Sequence, residues 1–183
     1  MPTTYTQGHE RLRQLPDVFN INTLSRLMHM PKQQTLGYLL RWRQRGWVEQ
    51  AGPRAGIYFN LIKNPSAADE FRIDALVMEY PSAVLIGESV LHAAGWITQV
   101  PAALQVAIEK TSARRSYKHF FGFELHPKPL LWFKQMHKQI LHPSKAGFSS
   151  YGLRTLAPAI ALADLYATVG AWHPDPDDLH LPD

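Results

Sequence analysis

The sequence predicts an α+β protein built from two parts. Helix-forming segments and two β-prone runs follow one another within residues 8–62, and short strands and helices are mixed after residue 66. Asparagine, proline and serine at positions 64–66 indicate a boundary between the two parts. A chain of 183 residues has room for two small domains. We therefore predict domains over residues 1–63 and 64–172, followed by a Pro/Asp-rich tail over 173–183.

Two short helices are predicted at the start of the first domain. Gln7–Leu15 has leucines three residues apart with charged residues at other positions, and Pro16 ends it. Asn22 is predicted to cap a second helix, Thr23–Met28, since asparagine is a favoured N-cap residue. His29 and Met30 then form a turn.

A longer helix and a hairpin follow. Pro31 suits the first position of a helix over Lys32–Arg45, and Gly46 suits its left-handed C-terminal cap. The expected inner face of this helix consists of Leu36, Leu39 and Leu40, with Trp42 and Trp47 also in the core. The runs Trp47–Gln50 and Ile57–Leu61 favour strands, joined by a loop that carries Arg54. This order of elements is typical of a winged helix-turn-helix.

The third predicted helix carries the residues expected to contact double-stranded DNA. Its first turn would face base edges in the major groove, where glutamine pairs with adenine and lysine with guanine. Further along, arginines would contact phosphates, and the hairpin tip would enter the minor groove. The predicted contacts are Lys32, Gln33, Gln34, Thr35, Tyr38, Arg41, Arg43, Arg45 and Arg54. Tyr38 fits the edge of the core equally well.

Charge is unevenly distributed along the chain, whose total is +4. Residues 1–63 hold nine lysines and arginines against three acids, and residues 110–154 hold nine against one. Such blocks attract polyanions. In the second block Arg114, Arg115 and Lys118 are interleaved with aromatic residues, which suits a DNA backbone, an acidic protein partner or a solvated loop.

The second part is predicted to mix strands with helices. A helix over Asp69–Tyr80 precedes a short strand at Ala83–Ile86 and a helix at Glu88–Ala94. Further strands are predicted at Leu104–Ile108, Phe120–His126 and Phe148–Thr155, while Leu130–His137 fits a strand or a helix. The clearest helix is Leu156–Thr168, with Ile160, Leu162, Ala163 and Leu165 expected to pack inward and Asp164 as an exception.

Four passages resemble the AbiEi-type antitoxins of type IV toxin-antitoxin and abortive-infection systems. They are RQRGWVEQAGPRAGIYFNL from Arg43, YPSAVLIGESVLHAAGW from Tyr80, QVPAALQVAI from Gln99 and LAPAIALADLYA from Leu156. The resemblance implies a winged domain that represses its own operon by binding promoter repeats. It also implies a C-terminal domain that neutralises a nucleotidyltransferase-like toxin. This chain is shorter than larger members of the family, which leaves a solitary regulator open.

Several other functions are not expected. The chain has no cysteine, which excludes disulfides and thiolate chemistry, and its nine histidines follow no known metal-ligand spacing. Gly147–Gly152 does not match a nucleophile elbow, and the only Asp-x-Asp pair, Asp175 and Asp177, lies in the tail. We therefore expect no enzyme, no cofactor and no metal. The uncharged run Ser89–Ile108 contains glutamines, a histidine and proline, so we expect a soluble cytoplasmic protein without a membrane span. The alternative is a protein-interaction module that never binds DNA.

Overall fold

The structure, a computed structural model, describes residues 4–52, 55–110, 119–168 and 171–181. It has mixed α+β architecture, as predicted, with eight α-helices and two sheets in these ranges. The chain forms two compact units, Met1–Glu79 and Tyr80–Asp183. No helix of the described ranges has the length and apolar composition needed to cross a membrane.

The N-terminal unit combines five helices with a three-stranded sheet. Its strands are antiparallel in the order β1-β3-β2, with Val18 opposite Phe59 and Val48 opposite Asn60. The strand β1 was not predicted, because three residues are too few to show a period. The elements are α1 (Thr4–Gln14), β1 (Val18–Asn20), α2 (Ile21–Met28), α3 (Lys32–Gln44), β2 (Val48–Gln50), β3 (Ile57–Asn60), α4 (Ala67–Glu70) and α5 (Arg72–Glu79).

A buried polar side chain ties β3 to the end of α1. The amide Nδ2 of Asn60 donates to the carbonyl of Leu12 at 2.6 Å, and its Oδ1 accepts from the backbone N–H of Lys63 at 3.3 Å. Asn60 is fully buried. The carbonyl of Leu12 also accepts from the backbone N–H of Leu15 at 3.0 Å, so the amide of Asn60 is its second donor and joins β3 to the last turn of α1.

The start of α2 differs from the prediction. The helix begins at Ile21, and its N-cap is Asn20, whose side chain accepts from the backbone N–H of Thr23 at 2.9 Å. The predicted cap, Asn22, therefore lies inside the helix and is exposed. The error arose because either asparagine can cap a helix. Which one does so depends on where the helix begins, and this is set by β1, which was not predicted. The turn after the helix is as predicted, with His29 in the left-handed region at a φ of 52°.

The helix α3 is rotated relative to the predicted orientation. Its buried residues are Thr35, Leu39 and Trp42, whereas Leu36 is 47% exposed and Leu40 58% exposed. The prediction of Leu36 and Leu40 on the inner face was thus wrong. Thr35 can be buried because its hydroxyl donates to the carbonyl of Pro31 at 3.1 Å. The helix ends as expected at Arg45 and Gly46, which has a φ of 68°.

The boundary between the two compact units lies after Glu79, further along the chain than the predicted boundary after residue 63. The short helices α4 and α5 pack against β3, and α5 also contacts β1, so both belong to the N-terminal unit. They replace the single predicted helix over Asp69–Tyr80, because the backbone leaves the helical conformation at Phe71. The Asn64–Ser66 segment is therefore a turn within this unit.

The C-terminal unit is built on a six-stranded mixed sheet in the order β6-β7-β5-β4-β9-β8. Parallel pairing joins β5 to β7 and β4 to β9, and the other neighbours are antiparallel. The elements are β4 (Val84–Leu85), α6 (Gly87–Ala93), β5 (Leu104–Glu109), β6 (His119–Phe120), β7 (Phe123–Lys128), α7 (Leu130–Met136), β8 (Ile140–Leu141), β9 (Arg154–Leu156) and α8 (Pro158–Ala167).

Four expectations for this unit need correction or completion. The segment left open between strand and helix is the helix α7, and the predicted strand over Phe148–Thr155 is reduced to β9. In α8 the buried residues are Ala161 and Leu165, while the predicted inward residue Ala163 is exposed. The predicted tail also contacts the unit, since the backbone N–H of His180 donates to the carbonyl of Trp96 at 2.9 Å.

The two asparagines at the start of α2 provide a matched test of this fold. Asn20→Ala removes the acceptor for the N–H of Thr23 and should lower the free energy of unfolding by about 1 kcal/mol. Asn22→Ala changes an exposed residue and should shift it by less than about 0.5 kcal/mol. Urea denaturation followed by circular dichroism compares the two. A larger loss for Asn22→Ala would show that the helix begins where the sequence placed it.

Candidate nucleic-acid interface

One side of α3 faces away from the core of the N-terminal unit. We define the outer face of α3 as Gln33, Gly37, Leu40, Arg41 and Gln44, which lie opposite the buried residues at helical spacing. All of these except the half-buried Gly37 are exposed. This surface is flanked by Lys32, Leu36 and Arg43 on one side and by Gln34 and Tyr38 on the other.

The predicted contacts in the first turn of α3 are only partly available to a ligand. Lys32, Gln33 and Gln34 are exposed, so they can reach a molecule placed against this helix. Thr35 is fully buried and its hydroxyl is bonded to Pro31, so it cannot reach a base edge. Its inclusion among the base contacts was wrong. The N-cap Pro31 makes no side-chain hydrogen bond to the first amides of the helix.

Each arginine near the end of α3 is positioned by a neighbouring side chain. The guanidinium of Arg41 lies 4.5 Å from the ring centre of Tyr38, and that of Arg45 lies 5.0 Å from the ring centre of Trp47. Arg43 donates from Nη1 to Oε1 of Gln50 at 2.8 Å. Tyr38 is half-buried beside the core, which fits one of the two alternatives left open for it, and its contact with DNA stays a prediction.

The hairpin of β2 and β3 is linked to α3 through Gln50. Its Nε2 donates to the carbonyl of Ala55 at 2.7 Å, while its Oε1 accepts from Arg43. On β3, burial raises the pKa of Tyr58 above its usual value of 10.0, and the nearby charge of Arg43 opposes this shift. Arg54, predicted at the hairpin tip, lies outside the described residues.

A polar cleft of about 450 Å³ lies in the C-terminal unit and was not predicted. Its lining includes Glu124, His126 and Lys128, which alternate along β7 and so share one face of the sheet. Opposite them on α8 is Asp164, whose Oδ2 lies 3.3 Å from Nζ of Lys128 and whose Oδ1 accepts from Nε1 of Trp132 at 3.3 Å. These bonds explain why an acid interrupts an otherwise apolar helix. The alternation of polar residues along β7, with a period of two, is the sequence signal that could have revealed this cleft.

A histidine and an acid lie side by side in this cleft. Nε2 of His126 lies 3.2 Å from Oε1 of Glu124, and this buried nitrogen forms no hydrogen bond with the described residues. Within the described ranges, no three histidine or acidic residues are grouped as metal ligands would be. The basic residues Arg114, Arg115 and Lys118 lie outside those ranges.

The fold has a counterpart among solved structures. No protein-family model matches the sequence, and no curated protein matches it. The chain is similar to the crystal structure of the RV2827C protein from Mycobacterium tuberculosis, with a TM-score of 0.55 and 14% sequence identity. The match covers 90% of this chain and 60% of that one, so this chain spans less than two thirds of the other's length. At this level of identity the likeness establishes a shared fold.

Proposed function

We propose that the N-terminal unit is a winged helix-turn-helix that binds double-stranded DNA, and that the protein is a transcriptional regulator rather than an enzyme. The observation that carries the proposal is the cluster of basic and amide side chains exposed on and beside the outer face of α3. Among the described ion pairs none involves Arg41 or Arg43. Their charge is therefore available to an external polyanion.

The arrangement of α3 suits a helix that enters the major groove by its first turn. Gln33 and Gln34 can pair with adenine N6 and N7, and Lys32 with guanine O6 and N7. At the start of α3 the N–H groups of Gln34 and Thr35 donate to the carbonyl of Pro31, which leaves those of Lys32 and Gln33 for a phosphate. Arg41 and Arg43 lie on later turns, where phosphate contacts would fix the register of the protein on the duplex.

The rings and amide that hold the arginines favour binding over a merely solvated surface. A free arginine side chain loses rotational freedom when it contacts a phosphate, which reduces the net gain. Arg41 already lies over Tyr38, and Arg43 is already bonded to Gln50. Part of that entropic cost is therefore borne by the fold.

A second candidate function is a protein-interaction module without DNA binding. It is favoured by the exposure of Leu36 and Leu40, since large apolar residues on a helix face often contact another protein. The resemblance to AbiEi-type antitoxins adds a different expectation, that the chain represses its own operon and neutralises a nucleotidyltransferase-like toxin. That expectation rests on the four sequence passages alone.

Charge removal on α3 tests DNA binding. We expect Arg41→Ala and Arg43→Ala each to weaken binding to a duplex from the upstream region about tenfold, which corresponds to loss of a contact worth about 1.4 kcal/mol. Each variant should also reduce the slope of log affinity against log salt by about 1. Fluorescence anisotropy across a salt series measures both quantities.

The matched control is Arg72→Ala, which removes one exposed positive charge from α5 of the same unit. It should leave the affinity and the salt slope nearly unchanged. Equal losses for Arg72→Ala would mean that only net charge matters. Absence of binding by the unaltered protein, to both the upstream and a scrambled duplex, would leave the protein-interaction module as the better account.

Toxin neutralisation is tested separately from DNA binding. When the product of an adjacent nucleotidyltransferase-like gene arrests growth, co-expression of this chain should restore it. The Arg41→Ala/Arg43→Ala double variant should restore growth equally, because the implied antitoxin activity belongs to the C-terminal domain. Continued arrest with the unaltered chain, confirmed by immunoblot to be present, would overturn the antitoxin part of the proposal and leave a solitary regulator.

A further inference from the structure

Gly37 occupies the middle of α3 without a reason in the fold. A side chain placed there would meet no atom within 4 Å, and the residue is not among those with a positive φ. Glycine is the least favourable helix-interior residue apart from proline, since it loses the most backbone freedom and buries nothing. The helix would thus be more stable with alanine at this position. Glycine here leaves a notch in the outer face of α3.

The notch lies in line with a glutamine and a leucine. Gln33, Gly37 and Leu40 recur at spacings of four and three, so they form one stripe along the helix. At about 1.5 Å per residue the stripe is roughly 10 Å long, or about three base-pair steps of 3.4 Å. Leu40 is 58% exposed, the highest value among the described large apolar residues of the N-terminal unit.

We propose, resting on the DNA-binding function above, that this stripe recognises A·T base pairs in the major groove. Gln33 is the type of side chain that bonds adenine N6 and N7 bidentately, and Leu40 is suited to contact the C5-methyl group of thymine. That methyl is the apolar feature that distinguishes A·T pairs at the groove floor. Gly37, lacking a side chain, allows the helix backbone to approach the base edges between these two contacts.

The surroundings of Leu40 favour a duplex over a protein as the occupant of this stripe. Arg41 follows Leu40 directly and Arg43 lies one turn beyond it, and neither is among the described ion pairs. An apolar protein surface packed on Leu40 would bring those two charges against it without compensation. A major groove presents methyl groups at its floor and phosphates at its rim, which matches leucine flanked by arginines.

Replacing thymine by uracil tests the proposal, because it removes only the C5-methyl group. The upstream duplex and its uracil-substituted counterpart are compared by anisotropy with the full chain. We expect about fourfold weaker binding to the uracil duplex for each methyl that the protein contacts. Leu40→Ala should bind both duplexes with equal affinity. The control Leu131→Ala, at an exposed leucine of α7, should keep the preference of the unaltered protein.

Gly37→Ala provides the second variant. It should raise the melting temperature by roughly 4 °C, since alanine favours the helix, and weaken binding to the upstream duplex about tenfold or more. A variant that is more stable but binds DNA more weakly would show that Gly37 serves contact with DNA and not the folding of the helix. Unchanged affinity in Gly37→Ala would overturn the close approach of the backbone.

The outcomes distinguish this inference from the proposed function. Tight binding of the upstream duplex with equal affinity for its uracil counterpart would overturn the recognition of thymine while leaving DNA binding intact. Failure of the unaltered protein to bind either duplex would overturn both, and a protein partner would then account for Leu40. A preference for thymine that Leu40→Ala removes would support the inference.

Discussion

The burial of one face of α3 determines what the N-terminal unit can present to a ligand. Thr35, Leu39 and Trp42 pack inward, and Trp42 lies so close to α1 that a side chain at Gly8 would come within 3.0 Å of its Nε1. Thr35 adds a polar group to this face at no loss of hydrogen bonding, because Pro31 accepts from its hydroxyl. With these residues inside, rotation of α3 about its axis is fixed. Its glutamines, arginines and Leu40 are left outside.

The rest of the unit supports that orientation. Asn60 joins β3 to the end of α1, and Gln50 joins the hairpin to Arg43 on α3. A hairpin linked in this way to the proposed recognition helix can contact the same duplex without separate ordering. Trp47 is buried in the core and also lies beside the guanidinium of Arg45. The same residues thus contribute to stability and position the charged side chains.

Sequence reasoning was sufficient where a local signal exists and insufficient where the tertiary structure decides. Gly46 follows α3 in the predicted left-handed conformation, which glycine adopts without strain, whereas Pro31 is the N-cap and not the predicted first residue of the helix. The inner face of α3 was predicted wrongly because polarity alone places Leu36 and Leu40 in the core and Thr35 on the surface. Only the hydroxyl bond to Pro31 makes Thr35 a core residue. In the C-terminal unit, Asp164 lacked an explanation in the sequence because its partners Lys128 and Trp132 come from other elements.

Site-directed cleavage tests whether the outer face of α3 lies against DNA, as we propose. The chain contains no cysteine, so a single one can be introduced at Gln33 and made to carry an iron–EDTA group. We predict strand cleavage confined to a few base pairs of the upstream duplex. The same group at Asp69→Cys, on the exposed side of α4, should cleave far less. Equal or stronger cleavage from position 69, on a duplex that the protein binds, would show that α3 is not the part of the unit that lies against DNA.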